Sequence, residues 1–337
     1  MKISIVIPVY NVIPYIEDCL HSVMVQSWQD NLECILVDDC GTDKSMQLIE
    51  QRLQTYKGKI DFRIIRHQHN LGLSAARNSG IDAATGDYVF FLDSDDEITP
   101  DCIERLVMPL SEHFYDLVVA DYRIIGDGRP KSPLSLADGQ VLKGREVLRA
   151  YRYHQWYMLS VNKLCKVDFL RQHDLLFREG IIHEDELWSF QVACLAQSLY
   201  VVRAETYIYK IRSGSITVTK NHEQRCRCLT EILCQMREFA IRQQLYDDSD
   251  VHDMIQNFRM ISLYSISQEA PNLLADFYVS QRRKSGISWI HSLAVNGTNL
   301  RKQLRDLHQA LPLPLALTYL HLLLRHLPEA ADNHNQS

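Results

Sequence analysis

Four short runs of β-branched and aromatic residues, spread over residues 1–92, limit what this chain can fold into. They are 3–7 (ISIVI), 33–37 (ECILV), 61–66 (DFRIIR) and 88–92 (YVFFL). Each is too short for a stable helix and has the composition of a strand, with 3–7 and 33–37 reading as buried ones. Helical patterns lie between them. Residues 14–26 place Ile16, Leu20, Val23 and Met24 on one face, with Pro14 in the first turn. Residues 43–56 follow with Asp43 as N-cap, and 73–84 with Gly86 as C-terminal cap. Strand and helix alternating at this spacing require right-handed parallel crossovers, and so an α/β sheet.

In such sheets ligands bind outside the carboxyl ends of the strands. Three motifs fall there: Pro8-Val9-Tyr10-Asn11, Asp38-Asp39, and Asp93-Ser94-Asp95-Asp96. The last packs three carboxylates into four residues directly after an apolar strand. They repel one another unless they are solvated or neutralised by a cation. Oxygen-only ligands suit Mg²⁺ or Mn²⁺, which fill the rest of their shell with water and substrate phosphate. A calcium loop fits poorly, because its sixth position is Ile98 rather than glycine. Asp38 and Asp39 can accept hydrogen bonds from a base or ribose, or can cap the following turn. Tyr10 can stack on a flat base. Arg77 and Asn78 lie on the helix ahead of the acidic loop, where Arg77 can reach a phosphate or form a surface ion pair. Further on, His183-Glu184-Asp185-Glu186-Leu187-Trp188 lacks the second histidine of a zinc helix. It reads as an acidic helix start favoured by the dipole, or as a carboxylate beside Trp188 and Phe190 suited to a sugar face.

Composition narrows the classes. The 337 residues carry a net charge of −6, so a backbone-tracking nucleic-acid protein is disfavoured and no nucleic-acid partner is expected. The balance is uneven: residues 1–209 carry −9 and residues 210–337 carry +3. Nine cysteines form no C-x-x-C pair and read as reduced thiols of a cytoplasmic protein. Cys226-Arg-Cys228 has no second pair with which to hold zinc. The N-terminus lacks a signal-peptide pattern, and no run of about 18 uninterrupted apolar residues points to a membrane span. Neither G-x-G-x-x-G, a P-loop nor a G-x-S-x-G elbow is present. Phosphates must then be handled by metal and side chains.

Four segments resemble the family 2 glycosyltransferases of the GT-A fold. They are IVIPVYN (5–11), ILVDDCGTDKS (35–45), NLGLSAARNSGIDAATGDYVFFLDSDD (70–96) and HEDELW (183–188). The likeness extends over roughly residues 1–215. It implies an inverting enzyme with a Rossmann-like, mostly parallel sheet flanked by helices. Pro8, Val9 and Tyr10 would line the base pocket, Asp39 would bind the base, and Asp38 would support its loop. Arg77 would face the diphosphate, with Asn78 and Ser94 beside the nucleotide-sugar. Asp93, Asp95 and Asp96 match the metal-binding acidic motif. Asp185 matches the catalytic base, with Glu184 next to it. Lys163 and Arg212 match recurring donor- or acceptor-side positions, and Ser215 lies in the same loop as Arg212. The implied cofactor is Mn²⁺ or Mg²⁺. The implied partners are a nucleotide-sugar donor, chiefly a UDP-sugar, and a glycan or lipid-linked glycan acceptor in surface polysaccharide synthesis. One departure is Cys40-Gly41, where the family often has Gly-Ser.

The expected organisation is a catalytic domain over 1–220, with a nucleotide half to about 100 and an acceptor half beyond. A helical region over 221–337 follows. Long amphipathic helices are expected over 223–245 and 250–268, shorter ones near 272–283 and 299–309, and a leucine-rich one over 313–327. The basic groups Arg282-Arg283-Lys284 and Arg301-Lys302-Arg305, with the last helix, suit peripheral contact with the inner membrane face or a homodimer. Packing onto the catalytic domain is the other reading. Two rival functions stand beside transfer. A sugar nucleotidyltransferase would need a glycine-rich basic loop after the first strand, and PVYNVIP supplies none. A non-catalytic glycan-binding scaffold would be expected to lose the acidic motifs, and all are present.

Overall fold

The computed structural model describes residues 1–126, 134–211 and 221–326. The chain forms two compact units, Met1–Ser215 and Ile216–Ser337. In the first, nine strands among the described residues form one sheet: β1 (Ile3–Val9), β2 (Leu32–Asp38), β3 (Asp61–Arg66), β4 (Tyr88–Phe91), β5 (Glu97–Ile98), β6 (Leu117–Ile125), β7 (Val141–Lys143), β8 (Lys163–Lys166) and β9 (Ser198–Lys210). Their order is β3-β2-β1-β4-β8-β6-β9-β5, and β7 pairs antiparallel with the start of β9.

The four sequence-predicted strands of the first half pair in parallel, with Val9 opposite Asp38 and Asp38 opposite Arg66. Beyond β4 the sheet is mixed. β8 enters antiparallel between β4 and β6, while β6 and β9 run parallel. Strands β5, β7 and β8 are two to four residues long and too short to show periodicity. β9 did carry a signal in its Val, Tyr and Ile content. Proline inside β1 is tolerated for a geometric reason. β4 ends opposite Val6, so Pro8 has a ladder partner on one side only, Val37.

The helices Ile16–Met24, Ser45–Thr55 and Leu73–Ala83 fall where the pattern predicted them. Two end details differ. Asp43 lies two residues before the second helix, and its carboxylate still accepts from Ser45 N–H at 2.9 Å. Gly86 is no helix cap, since Leu73–Ala83 ends at Ala84 in extended backbone. Glycine is required there because a Cβ would meet Ser4 Oγ at 2.6 Å.

The second unit contains the helices His222–Arg242, Ser249–Glu269, Leu274–Lys284, Trp289–Asn296, Leu300–Asp306 and Leu313–Arg325. Trp289–Asn296 was not expected from the sequence. The core of this unit is partly ionic: Arg305 bridges Asp253 and Asn257, each at 2.6 Å. The last helix buries Ala316, Leu320 and Leu324 and leaves Leu313, Leu315 and Leu322 exposed. Among the described residues, no helix is long and apolar enough to cross a membrane.

Candidate active site

The carboxyl ends of β1, β2, β3 and β4 lie side by side, so four loops share one edge of the sheet. Pro8 and Val9 are buried strand residues, and Tyr10 just beyond them is 47% exposed. The two aspartates at the end of β2 sit in different surroundings. Asp39 is buried, and its carboxylate accepts four hydrogen bonds. His67 Nδ1 (2.7 Å) and Leu71 N–H (2.8 Å) donate to Oδ1, while Asn70 Nδ2 (3.0 Å) and Gly72 N–H (2.9 Å) donate to Oδ2. Asp39 therefore organises the loop after β3. Asp38 is half-buried, and its Oδ1 accepts from Cys40 N–H at 3.1 Å.

The acidic loop after β4 is pinned from several directions. Asp96 is 2% exposed. It accepts from the Tyr207 hydroxyl at 2.7 Å and from Lys210 N–H at 2.8 Å. Burial, and then the charges of Asp93 and Asp95, push its carboxyl well above the usual range. Asp96 thus anchors the loop to β9 rather than pointing outward, and Ser94 is buried beside it. Asp93 and Asp95 are half-buried.

Arg77 departs most from expectation. Its side chain is 3% exposed, and its guanidinium spans two carboxylates. One nitrogen reaches Asp93 Oδ1 at 2.7 Å and the other reaches Glu184 Oε1 at 2.6 Å. Burial opposes the guanidinium charge, but Asp93 and Glu184 outweigh that and hold it firmly protonated. The cation also sits over the Phe177 ring at 5.2 Å. So Arg77 is a buried bridge and does not lie open to a phosphate. Asn78 is likewise occupied: its amide donates to Phe177 C=O at 2.9 Å and accepts from Phe177 N–H at 2.8 Å.

The Arg77 bridge ties the acidic loop to the start of helix Glu184–Leu195. That helix begins after His183, whose φ of +63° is rare for a side-chain-bearing residue. Glu184, Asp185 and Glu186 fill its first turn, where the helix dipole favours negative charge. Burial and the neighbouring Glu184 charge raise the Asp185 carboxyl well above the usual carboxylate range, against the pull of Arg77. Burial, then Asp185, raises Glu186 to about 8. Trp188 and Phe190 are buried and offer no sugar platform. Trp188 stacks on Phe177 at 4.7 Å and meets Phe91 edge-on at 5.9 Å, forming the wall behind Arg77.

Lys163 is fully buried and lies over the rings of Tyr157 (4.8 Å), Trp156 (5.1 Å) and Trp188 (6.0 Å). Burial lowers its ammonium to about 8. Arg212 and Ser215 lie outside the described residues. His67, Asn70, Ser79 and Tyr207 were not singled out from the sequence. His67 carried a signal by following directly on the end of β3, and Asn70 and Ser79 by lying within the segment 70–96.

The donor set of the acidic loop is all carboxylate oxygen, which suits a hard divalent cation. Among the described residues, no three His, Cys, Asp or Glu side chains converge into a closed cage. One or two carboxylates suffice when a diphosphate supplies the remaining oxygens. Asp95 and the second oxygen of Asp93 fit that half-site, and Asp96 is committed to Tyr207 and Lys210.

The sheet order and the acidic edge define an α/β scaffold of the GT-A type. The model of glycosyl transferase family 2 matches residues 4–173, and the chain belongs to that family. It is 30% identical over 236 residues to the glycosyltransferase GlyA of Streptococcus pneumoniae, covering 64% of this chain and 31% of GlyA. It is 34% identical over 221 residues to the putative glycosyltransferase EpsH of Bacillus subtilis, covering 64% and 62%. The chain therefore spans less than two thirds of either relative. Among solved structures, it resembles TarS 1–349 of Staphylococcus aureus in complex with UDP-GlcNAc. That likeness has a TM-score of 0.64 at 22% identity and covers 92% of this chain and 89% of that one. TarS is a poly(ribitol-phosphate) β-N-acetylglucosaminyltransferase.

Proposed function

We propose that this protein transfers a sugar, with inversion, from a UDP-sugar to a hydroxyl of a surface-polysaccharide acceptor, and that the transfer depends on a divalent metal. The observation that carries this reading is the Arg77 bridge. By joining Asp93 to Glu184 it brings the acidic loop and the proton-accepting helix start into one site. The UDP-GlcNAc complex of TarS supports the donor class.

Tyr10, Asp38 and the loop after β3 are the donor-base side. Asp93 and Asp95 are the residues that would hold Mg²⁺ or Mn²⁺. A bound cation there would offset charge on the departing diphosphate. Asp185 takes the proton from the acceptor hydroxyl as general base. The acceptor oxygen then attacks the anomeric carbon from the face opposite the leaving group, and the bond to the diphosphate breaks. Glu184 and Arg77 hold the Asp185 turn in place, and the raised carboxyl suits proton transfer near neutral pH.

The test is donor turnover across UDP-, GDP- and dTDP-sugars, with Mn²⁺, with Mg²⁺ and with EDTA. A UDP-sugar consumed only with metal supports the reading. Absence of turnover with every donor and a panel of glycan acceptors overturns it. The basic second region and the exposed leucines of the last helix support peripheral contact with an anionic membrane face. Vesicle flotation with and without anionic lipid tests this, and equal recovery in both retires it.

A further inference from the structure

His67 lies outside every motif of the resemblance, and Ser79 lies within one but with no role assigned to it, yet together they complete the bracing of Asp39. His67 Nδ1 is 2.7 Å from Asp39 Oδ1, and its Nε2 is 2.9 Å from Ser79 Oγ. The His67 and Asp39 side chains are 7% and 4% exposed, so the bond between them is shielded from water, while Ser79 is half-buried. A neutral imidazole has one donor and one acceptor nitrogen. The Asp39 carboxylate requires the donor at Nδ1, so Nε2 accepts from the Ser79 hydroxyl; this tautomer follows from the network. The string joins three elements: the end of β2, the end of β3 and the helix Leu73–Ala83.

The order Ser-His-Asp invites comparison with a nucleophilic triad. Ser79 sits inside a helix, two residues past Arg77, where neighbouring backbone N–H groups are taken up by the helix ladder. No donors are left to stabilise an oxyanion beside it. The string is therefore a brace. The other three donors to Asp39 come from Asn70, Leu71 and Gly72, so the direction of its carboxylate sets the path of that loop.

We propose that His67 and Ser79 are positioning residues for donor binding. They fix the Asp39 carboxylate, which holds the 70–72 loop against the end of β2 and so sets the affinity for the nucleoside diphosphate. This rests on the donor reading given above, and the experiment separates the two. Titration calorimetry of the full chain with UDP, GDP and dTDP, with Mn²⁺ present, comes first. Failure of the unmodified protein to bind any of the three overturns the donor reading itself.

Given binding, His67→Phe removes a charge-assisted bond and is expected to weaken affinity by about tenfold or more. His67→Asn places an amide N–H where Nδ1–H stood and is expected to restore most of that loss. In turnover assays the His67→Phe loss falls on KM rather than kcat. Ser79→Ala is expected to weaken binding by about two- to tenfold. Unchanged affinity in His67→Phe overturns the proposal, as does His67→Asn binding as weakly as His67→Phe. If His67→Phe does not fold, Ser79→Ala decides. Wild-type affinity there overturns the proposal, and a drop that falls on KM supports it.

Discussion

Single side chains divide the labour of this site in a way charge alone does not reveal. Asp185 and Asp39 are both carboxylates at element ends, yet one is half-buried with a raised carboxyl and the other is buried under four donors. Asp185→Asn is expected to lower kcat by about 10²–10⁴-fold while UDP binding persists, read by turnover and calorimetry in parallel. The raised carboxyl gives the pH dependence its sign. Asp185 must be ionised to act, so kcat should fall as pH drops through a value nearer neutrality than an ordinary aspartate would give. A kcat–pH profile flat down to pH 4–5, about where ordinary carboxylates titrate, would remove Asp185 from that role. Arg77→Leu strands two carboxylates and is expected to cost about 3–5 kcal/mol in urea unfolding. The sequence made these residue types visible but not their partners. Arg77 read as a phosphate ligand or a surface ion pair because its second carboxylate, Glu184, lies 107 residues away.

At the scale of elements, the sheet edge opposite the site holds the parallel strands in register. Glu33 in β2 is buried. It accepts from Ser4 Oγ at 2.5 Å and from Thr85 N–H at 2.7 Å, and it pairs with Lys2 at 2.9 Å. Burial opposes its ionisation, but the bonds from Ser4, Thr85 and Lys2 outweigh that and hold it down to about 2. A depressed carboxyl stabilises the fold fully above the unfolded-state value of about 4.3 and loses that contribution as pH falls toward about 2. The melting-temperature gap between wild type and Glu33→Gln should therefore be wide at pH 7 and narrow by pH 3. An equal gap at both would show that the ionised form contributes nothing. Gly80 serves the helix Leu73–Ala83 in another way. A Cβ there would lie 2.2 Å from Val6 Cγ1. Gly80→Ala should cost about 1–3 kcal/mol through overpacking, measured by thermal unfolding. Strands β1 to β4 were legible because each is rich in β-branched or aromatic residues. β8 was not, since four residues inserted antiparallel leave no period to read.

For the whole molecule, the division of charge and of secondary structure coincide. Every candidate donor-side, metal and base residue lies in Met1–Ser215, the unit with the acidic excess. A chain ending at Ser215 is expected to bind UDP as the full chain does. A lost calorimetric signal from a folded fragment would give the helical unit a share in donor binding. The sequence by itself determined the parallel α/β half, the carboxylates at its strand ends and the family. Those depend on local periodicity and on contiguous motifs. Only the tertiary structure decided which aspartate faces inward, that Arg77 is a bridge, that Trp188 is a wall, and that His67 and Ser79 brace Asp39. Each of these depends on groups brought together from distant parts of the chain. Whether a carboxylate meets solvent or donors is fixed by what packs against it, and no local pattern encodes that.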